Sequence, residues 1–361
     1  MKKIDYKLFI SVCILALFGT IMIYTSSQIW AEFKFNDSFK FFKNQFIFFI
    51  IGIIIMFILS KIDYNLYKKK SNLIIFICFL LLVLVLIPGI GIVRNGSRSW
   101  FGIGGFGIQP SEAAKVGLVI FVSKYLSNNY NIMYNIKKGV IPILSVIILF
   151  FMLIMLEPDF GTAMVITMSL IAMIFVSKVK ISFFLKIGLV GLLGIIALII
   201  IAPYRMARIV SFLNPWSDPL GSGFQIIQSL YAIGPGGLFG MGLGKSIQKH
   251  FYLPEPQTDF IFSIISEELG FLGVLIISTI FLFIFYRCIK ISMNTKNLFG
   301  KYLSFGLSFT IIFQTILNLC VVIGLVPVTG VTLPFISYGG SSLLVSMASI
   351  GIILNISRGG L

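Results

Sequence analysis

Long apolar runs divide this chain into segments, and short polar stretches separate them. Each run approaches the roughly 20 residues that an α-helix needs to cross a bilayer, and none shows the alternation of a barrel strand. Backbone facing lipid must satisfy its own hydrogen bonds, so such runs favour helices. The pattern predicts ten membrane-spanning helices, near residues 8–25, 44–60, 73–92, 110–126, 139–156, 160–177, 183–202, 260–286, 303–325 and 335–357.

The amino-acid composition is typical of a protein embedded in a lipid bilayer. Hydrophobic residues make up 58% of the chain, charged residues only 11%, and the mean hydropathy is +1.04. These values lie far outside the range of soluble domains. The predicted fold class is therefore all-α: a polytopic membrane protein with about ten transmembrane helices, forming a single domain over 1–361. A large extracytoplasmic loop, about 203–259, separates the seventh and eighth helices.

The distribution of lysine and arginine predicts the orientation. Alternate gaps starting at the amino terminus, together with the carboxyl terminus, hold 18 basic residues, whereas the opposite gaps hold 9. Cytoplasmic loops carry the basic excess, so both termini are predicted to be cytoplasmic. The net charge of +16 follows from this bias. Because the basic residues are scattered over inner loops, they give no reason to predict nucleic-acid binding. The four cysteines are too dispersed to suggest a disulfide framework or metal cluster.

Charged residues appear at the start of the fourth predicted span. In the sequence QPSEAAK, Pro110 stands at the predicted first helical position, and Glu112 and Lys115 follow three residues apart. This spacing places both side chains on one helix face, where they can neutralise each other at membrane depth. A structural ion pair and a functional pair explain the spacing equally well.

The short turn EPDFGTA between the fifth and sixth spans carries two further carboxylates. Glu157 and Asp159 can face outward together and hold a divalent cation against a phosphate, because Mg²⁺ often takes only one or two protein carboxylates. Helix capping is the simpler explanation for Asp159, which precedes the sixth span. Both alternatives stay open from the sequence.

The large outer loop begins with two arginines and continues into a glycine-rich stretch. Arg205 and Arg208 share a helix face, where they can bind phosphate or anchor lipid headgroups. The stretch ending in GLGKS lacks the glycine that a phosphate loop requires at position 239, which is Phe. Its glycine density instead predicts a re-entrant or closely packed segment at the membrane surface.

Five motifs, in this order, carry a family resemblance: QPSEAAK, EPDFGTA, the run from RMAR to GMGLG, YLPEPQTDFIFSIISEELG and PVTGVTLPFISYGGSS. Together with ten spans they closely resemble the SEDS family of shape, elongation, division and sporulation proteins. The wording QSLYAIGPGG and YLPEPQTDFIF is most similar to the FtsW and SpoVE branch, which are relatives of RodA.

This resemblance implies a peptidoglycan glycosyltransferase that polymerises lipid II into a nascent glycan strand. The reaction would take place at the outer face of the bacterial cytoplasmic membrane. It also implies a class B penicillin-binding protein as the transpeptidase partner. The family's essential aspartate corresponds to Asp259, its acidic and basic pair to Glu112 and Lys115, and its second acidic position to Asp159. Where many members have glutamine, this chain has Glu157.

Two roles stay open for Asp259. If the eighth span begins near Thr258, the helix dipole favours the ionised carboxylate, which can then accept a proton from the attacking sugar hydroxyl. Alternatively, with Asp159, it can help hold Mg²⁺ or Mn²⁺ on the departing pyrophosphate. Candidate pyrophosphate contacts are Arg98, Arg205, Arg208, Lys245 and Lys249.

Two other functions fit the same sequence features. Ten helices with intramembrane charges also describe a lipid II flippase, although a transporter is expected to show matching broken helices in two halves. A non-catalytic scaffold that activates the transpeptidase is the third possibility. Strand synthesis by the purified protein distinguishes the enzyme from both.

Overall fold

Long helices account for most of the fold. The computed structural model describes residues 4–94, 96–103, 106–201, 203–221 and 223–360. The helices are α1 (Tyr6–Phe35), α2 (Lys40–Leu59), α3 (Asn65–Leu86), α4 (Pro110–Asn128), α5 (Ile141–Leu156), α6 (Phe160–Phe175), α7 (Ile181–Ile201), α8 (Pro203–Leu213), α9 (Phe224–Ile233), α10 (Ile261–Asn294), α11 (Leu298–Val322) and α12 (Gly340–Gly360). Short helical turns occupy Ile136–Val140, Pro215–Ser217 and Gly234–Gly236.

A helix stands at each position where a membrane span is predicted. Within the described residues, seven helices are long and apolar enough to cross a membrane: α1, α2, α3, α5 with its preceding turn, α10, α11 and α12. The described part of α7 and the 16-residue α6 are shorter apolar helices, and α4 carries three charged residues. The mostly helical, polytopic membrane fold is thus confirmed.

Helix ends differ from the predicted spans where polar residues extend or replace a helix. α3 begins at Asn65 rather than near residue 73, because a lysine-rich turn continues the helix beyond its apolar part. α12 begins at Gly340 rather than near residue 335. Phe335 has a φ of 66°, which a helix does not accommodate, and the chain stays irregular up to Gly340.

A small antiparallel sheet occupies the glycine-rich segment between α3 and α4, where the sequence predicted only a loop. Its strands are β1 (Ile92–Arg94), β2 (Ser97–Ile103) and β3 (Phe106–Ile108), in the order β1-β2-β3. Trp100 pairs with Ile92 across β1 and β2, and Arg94 lies over the Trp100 ring, 5.1 Å from its centroid. These contacts give the segment regular structure despite its glycines.

α11 is the central helix of the bundle. It packs against α4, α6, α9, α10 and α12. Its buried face includes polar residues, among them Gln314 and Asn318, which are 3% and 0% exposed. Buried polar groups require hydrogen-bond partners, so α11 ties its neighbours together by more than apolar packing.

α10 is interrupted at Gly270, whose φ of 63° and ψ of −164° are open essentially to glycine. The segment 237–242, between α9 and α10, enters the gap and replaces two of the helix's own hydrogen bonds. In an uninterrupted helix, the carbonyls of Glu267 and Glu268 would accept from the N–H groups of Phe271 and Leu272. Here they accept instead from Met241 N (2.9 Å) and Gly242 N (3.0 Å). The N–H groups of Phe271 and Leu272 donate to Gly237 O (2.9 Å) and Leu238 O (3.1 Å).

Glycines make this insertion possible. A Cβ at Gly236 would lie 2.2 Å from Ser266 O, and one at Gly240 would lie 2.2 Å from Glu268 O. Both neighbours are main-chain atoms of α10, which cannot move aside without breaking the helix. The predicted close packing of the glycine-rich stretch is confirmed, and α10 is the element against which it packs.

Candidate functional site

The first turn of α4 holds a buried ion pair. Pro110 begins the helix, and Lys115 Nζ lies 2.9 Å from Glu112 Oε1, with side-chain exposures of 5% and 7%. Lys115 also donates to Gln314 Oε1 of α11 at 2.7 Å. The predicted pairing of Glu112 with Lys115 is therefore present. The second carboxylate oxygen of Glu112 is buried without a hydrogen-bond partner among the described residues.

Asp159 lies beside this pair. As the N-cap of α6, it accepts from Thr162 N at 3.0 Å, and its other oxygen accepts from Gln109 Nε2 at 2.8 Å. Burial raises the pKa of the Asp159 carboxyl, and the Glu112 charge adds to this, whereas Thr162 and the Lys115 charge oppose it. The influence of both α4 charges shows that the two helix starts meet. The capping explanation is correct, and Asp159 also contacts α4 through Gln109.

Glu157 does not face outward, contrary to the sequence-based interpretation. Its side chain is fully buried, and neither carboxylate oxygen has a hydrogen-bond partner among the described residues. The small sheet covers this turn, since Ser97 Oγ of β2 donates to Glu157 O. Burial and the nearby Asp159 charge raise the pKa of Glu157 to about 9, so its carboxyl is protonated at neutral pH.

Asp259 precedes α10 instead of lying within it. The helix begins at Ile261, so the predicted start near Thr258 is wrong by about one turn. Thr258 Oγ1 donates to Asp259 Oδ1 at 3.0 Å, and the Asp259 carbonyl accepts from Asn318 Nδ2 at 2.7 Å. Asp259 is still immediately before the positive end of the α10 dipole.

One main-chain segment, residues 329–332, brings the three regions together. Gln314 Nε2 donates to Thr332 O at 2.9 Å, and Asn318 Nδ2 donates to Val331 O at 2.8 Å. At the start of α6, a Cβ on Gly161 would lie 2.6 Å from Thr329 O. Lys115, the α6 terminus after Asp159 and the Asp259 backbone thus all connect to the PVTGVTLP motif.

The candidate pyrophosphate contacts have different surroundings. Lys245 is exposed on the outer loop. Arg98 is half-buried in β2 and donates to Leu86 O at 3.4 Å. Arg205 and Arg208 lie in α8, which is outside the membrane bundle, but their side chains fall outside those the structure describes.

Lys249 has a structural partner in place of an open phosphate-binding position. Its side chain is 1% exposed, and Nζ lies 3.3 Å from Glu268 Oε1 of α10, whose side chain is 0% exposed. Lys249 also donates to Gly244 O. Beside it, Glu267 accepts from Ser246 Oγ at 2.5 Å and from Ile247 N at 2.8 Å. The structure favours a role for Lys249 in fastening this loop to the broken α10.

The carboxylates give a limited set of cation ligands. Among the described residues, no group of three or more His, Cys, Asp or Glu side chains is arranged to hold a metal ion. A Mg²⁺ ion bound to a pyrophosphate needs only one or two carboxylates, because phosphate oxygens and water complete its octahedron. The buried, unpartnered Glu112 Oε2 next to Asp159 is compatible with such an ion.

Comparison with known proteins identifies the family. A family model described as cell cycle protein, covering FtsW, RodA and SpoVE, matches residues 6–360. The chain belongs to the FtsW, RodA and SpoVE family. The SEDS prediction and its FtsW and SpoVE branch are confirmed.

The relatives cover nearly the whole of this SEDS chain. Stage V sporulation protein E of Bacillus subtilis (strain 168) is 51% identical over 354 residues, 98% of this chain and 97% of that protein. The probable peptidoglycan glycosyltransferase FtsW of Geobacter sp. (strain M18) is 41% identical over 344 residues, 95% and 94% of the two chains.

Two solved structures share the SEDS fold. A chain from a peptidoglycan synthase complex that coordinates polymerization and crosslinking has a TM-score of 0.80 at 28% identity, covering 99% of this chain and 98% of that chain. The rod shape determining protein RodA of Thermus thermophilus has a TM-score of 0.74 at 26% identity, with the same coverage.

Sequence reasoning overlooked Gln314 and Asn318. Both are amides in a predicted span without charged residues, four residues apart and so on one helix face. Polar residues inside a span usually line a functional interior, and this signal was available from the sequence. Their partners are distant in the chain, however, and only the fold reveals them.

Proposed function

We propose that this protein is a peptidoglycan glycosyltransferase that polymerises lipid II at the outer face of the bacterial cytoplasmic membrane. The main support is the site formed by Glu112, Lys115, Asp159 and Asp259. Distant parts of the chain supply these residues, and the segment 329–332 connects them. Membership of the FtsW and SpoVE branch supports the same enzyme class. The relative named for sporulation, at 51% identity, favours spore cortex synthesis over division.

The geometry suggests how the reaction proceeds. The 4-hydroxyl oxygen of one sugar attacks the anomeric carbon of another, a C–O bond forms, and the bond to the pyrophosphate of the undecaprenyl carrier breaks. Asp259, at the open start of α10, accepts the hydroxyl proton. The departing pyrophosphate takes the bonding electron pair, and the buried Lys115 ammonium stabilises the charge that develops on it.

Lys115 is prepared for this role by its neighbours. An ammonium has three donors, and two of them are directed at Glu112 and Gln314. The third is available for a phosphate oxygen. Glu112 balances the charge of Lys115 in a membrane interior where an isolated ammonium is unfavourable.

As the alternative to proton acceptance by Asp259, we propose Mg²⁺ or Mn²⁺ as a cofactor. Asp159 and Asp259 would hold the cation, which would neutralise charge on the leaving pyrophosphate. The test is polymerisation after chelation with EDTA. Turnover should stop and return when Mg²⁺ or Mn²⁺ is added in excess. Unchanged turnover in EDTA would refute the cofactor.

The central experiment uses purified protein and lipid II in detergent, alone and with a class B penicillin-binding protein, the proposed partner. Glycan strands should form with the wild-type protein and not with Asp259→Asn, which keeps side-chain shape but cannot take up the proton. Gel filtration and melting temperature control for folding. Near-normal strand synthesis by Asp259→Asn contradicts the catalytic assignment, and lipid II transfer across vesicles without polymerisation would indicate a flippase.

Orientation is proposed with both termini in the cytoplasm, which puts the α4, α6 and α10 starts on the outer side. The excess of basic residues in alternate loops supports this. Cysteine labelling of Lys245→Cys by a membrane-impermeant maleimide in intact cells tests it. Labelling should occur there and not at Lys296→Cys, in the turn between α10 and α11.

A further inference from the structure

The central helix α11 holds two buried amides whose hydrogen bonds lead to the two ends of the site. Gln314 and Asn318 are one helical turn apart, roughly 6 Å along the same face. Gln314 Oε1 accepts from Lys115 Nζ at 2.7 Å. Asn318 Nδ2 donates to the carbonyl of Asp259 at 2.7 Å.

Both amides also bind adjacent residues of one irregular segment. Gln314 donates to Thr332 O at 2.9 Å, and Asn318 donates to Val331 O at 2.8 Å. Each side chain therefore connects one reacting group to the same stretch of main chain. A shift of either amide would change the distance between Lys115 and Asp259.

Asp259 lies just before α10, whose N-cap residue, Phe260, makes no side-chain capping hydrogen bond. The contact from Asn318 ties the backbone that carries the carboxylate to α11. Asn318 is fully buried, and its Oδ1 has no hydrogen-bond partner among the described residues, so its known bonds are made as a donor.

We infer that Gln314 and Asn318 are positioning residues for glycosyl transfer, which hold the Lys115 ammonium and the Asp259 carboxylate at a fixed separation. Neutral amides suit this task because they orient a cation and a backbone carbonyl without adding charge to the site. The inference rests on the proposed function, since it requires Lys115 and Asp259 to act on lipid II.

The test measures kcat and KM for lipid II polymerisation by the full-length protein. Gln314→Met removes all the side-chain hydrogen bonds of the glutamine, and Asn318→Asp replaces the donating Nδ2 with an oxygen. A displacement of about 1 Å in a reacting group lowers turnover by about 100-fold, so kcat should fall by about 30-fold to 100-fold in each variant. KM should stay within about 3-fold, because neither amide is proposed to contact lipid II directly.

Asn355 supplies a matched control. It is a buried asparagine of α12, and its Nδ2 donates to Ser60 O at 3.0 Å while its Oδ1 accepts from Tyr64 N at 3.0 Å. Asn355→Asp disturbs a comparable contact far from the site. It should lower the melting temperature as Asn318→Asp does, yet leave kcat within about 3-fold.

Combined variants separate positioning from general structural damage. If Gln314 acts through Lys115, adding Gln314→Met to Lys115→Met should lower the residual kcat by less than about 2-fold. A full multiplicative loss would overturn the inference, as would equal kcat losses for Asn318→Asp and Asn355→Asp. This Gln314 comparison decides the matter if Asn318→Asp does not fold. Asp259→Asn is measured in parallel. If Asp259→Asn has normal activity, the proposed function is overturned. If Asp259→Asn is inactive while the Gln314 and Asn318 variants are fully active, only the positioning role is overturned.

Discussion

The buried pair of Lys249 and Glu268 allows a quantitative prediction about the outer loop. The pair is separated by 3.3 Å and is almost fully shielded from solvent. Replacing Lys249 with methionine keeps the stem of the side chain and removes only its charge. This change should destabilise the folded protein without altering the chemistry of the site.

The expected loss follows from the fate of the remaining carboxylate. Breaking a buried ion pair on one side costs about 3–5 kcal/mol, because one charge stays buried without a partner. Lys249→Met should therefore lower the free energy of unfolding by about 4 kcal/mol at pH 7.

Unfolding by sodium dodecyl sulfate in mixed micelles measures these free energies. Lys245→Met is the matched control, because Lys245 lies four residues earlier in the same loop and is exposed. It should change stability by less than about 0.5 kcal/mol. If Lys245 contacts pyrophosphate, this variant should instead show a raised KM.

The double variant Lys249→Met/Glu268→Gln provides the decisive comparison. With neither charge buried, its stability should return to within about 1 kcal/mol of the wild type. A double variant as unstable as Lys249→Met would refute the ion-pair argument. So would a loss for Lys249→Met no larger than that for Lys245→Met.

Three further predictions concern the site and the broken helix. Glu157→Gln should raise the free energy of unfolding by about 3 kcal/mol at pH 7, because the folded carboxyl keeps its proton up to about pH 9 while the unfolded chain releases it above 4.5. This gain is lost as pH falls below about 4, where both states are protonated, and a gain independent of pH contradicts the burial argument. Glu112→Gln and Lys115→Met should each lower kcat/KM, with the double variant losing less than the product of the two effects; strict additivity in ΔΔG‡ counts against direct coupling. Gly270→Ala should cost at least about 3 kcal/mol, since positive φ is strained and its Cβ would lie 2.3 Å from Gly240 N. Gly188→Ala, whose Cβ would meet no atom within 4 Å, should be neutral or stabilising in the same unfolding measurement.

The apolar pattern alone determined which parts of this chain cross the membrane. Lipid leaves the backbone no alternative to internal hydrogen bonding, so about 20 apolar residues specify a helix almost without regard to tertiary context. Local spacing was also sufficient for the pairing of Glu112 with Lys115 and for the cap formed by Asp159 on α6. Each of these interactions spans three residues, and helix geometry fixes the outcome.

Tertiary structure decided the features that depend on distant contacts. Nothing near Glu157 in the sequence indicates that a small sheet covers it, and its burial reverses the expectation of an outward carboxylate. Lys249 looks like an exposed phosphate ligand until α10 places Glu268 against it. The interruption at Gly270 is stable only because segment 237–242 supplies the missing hydrogen bonds. Asp259 and Lys115, 144 positions apart in the sequence, meet through Gln314 and Asn318 because a buried amide in a membrane bundle must find its partners on other elements.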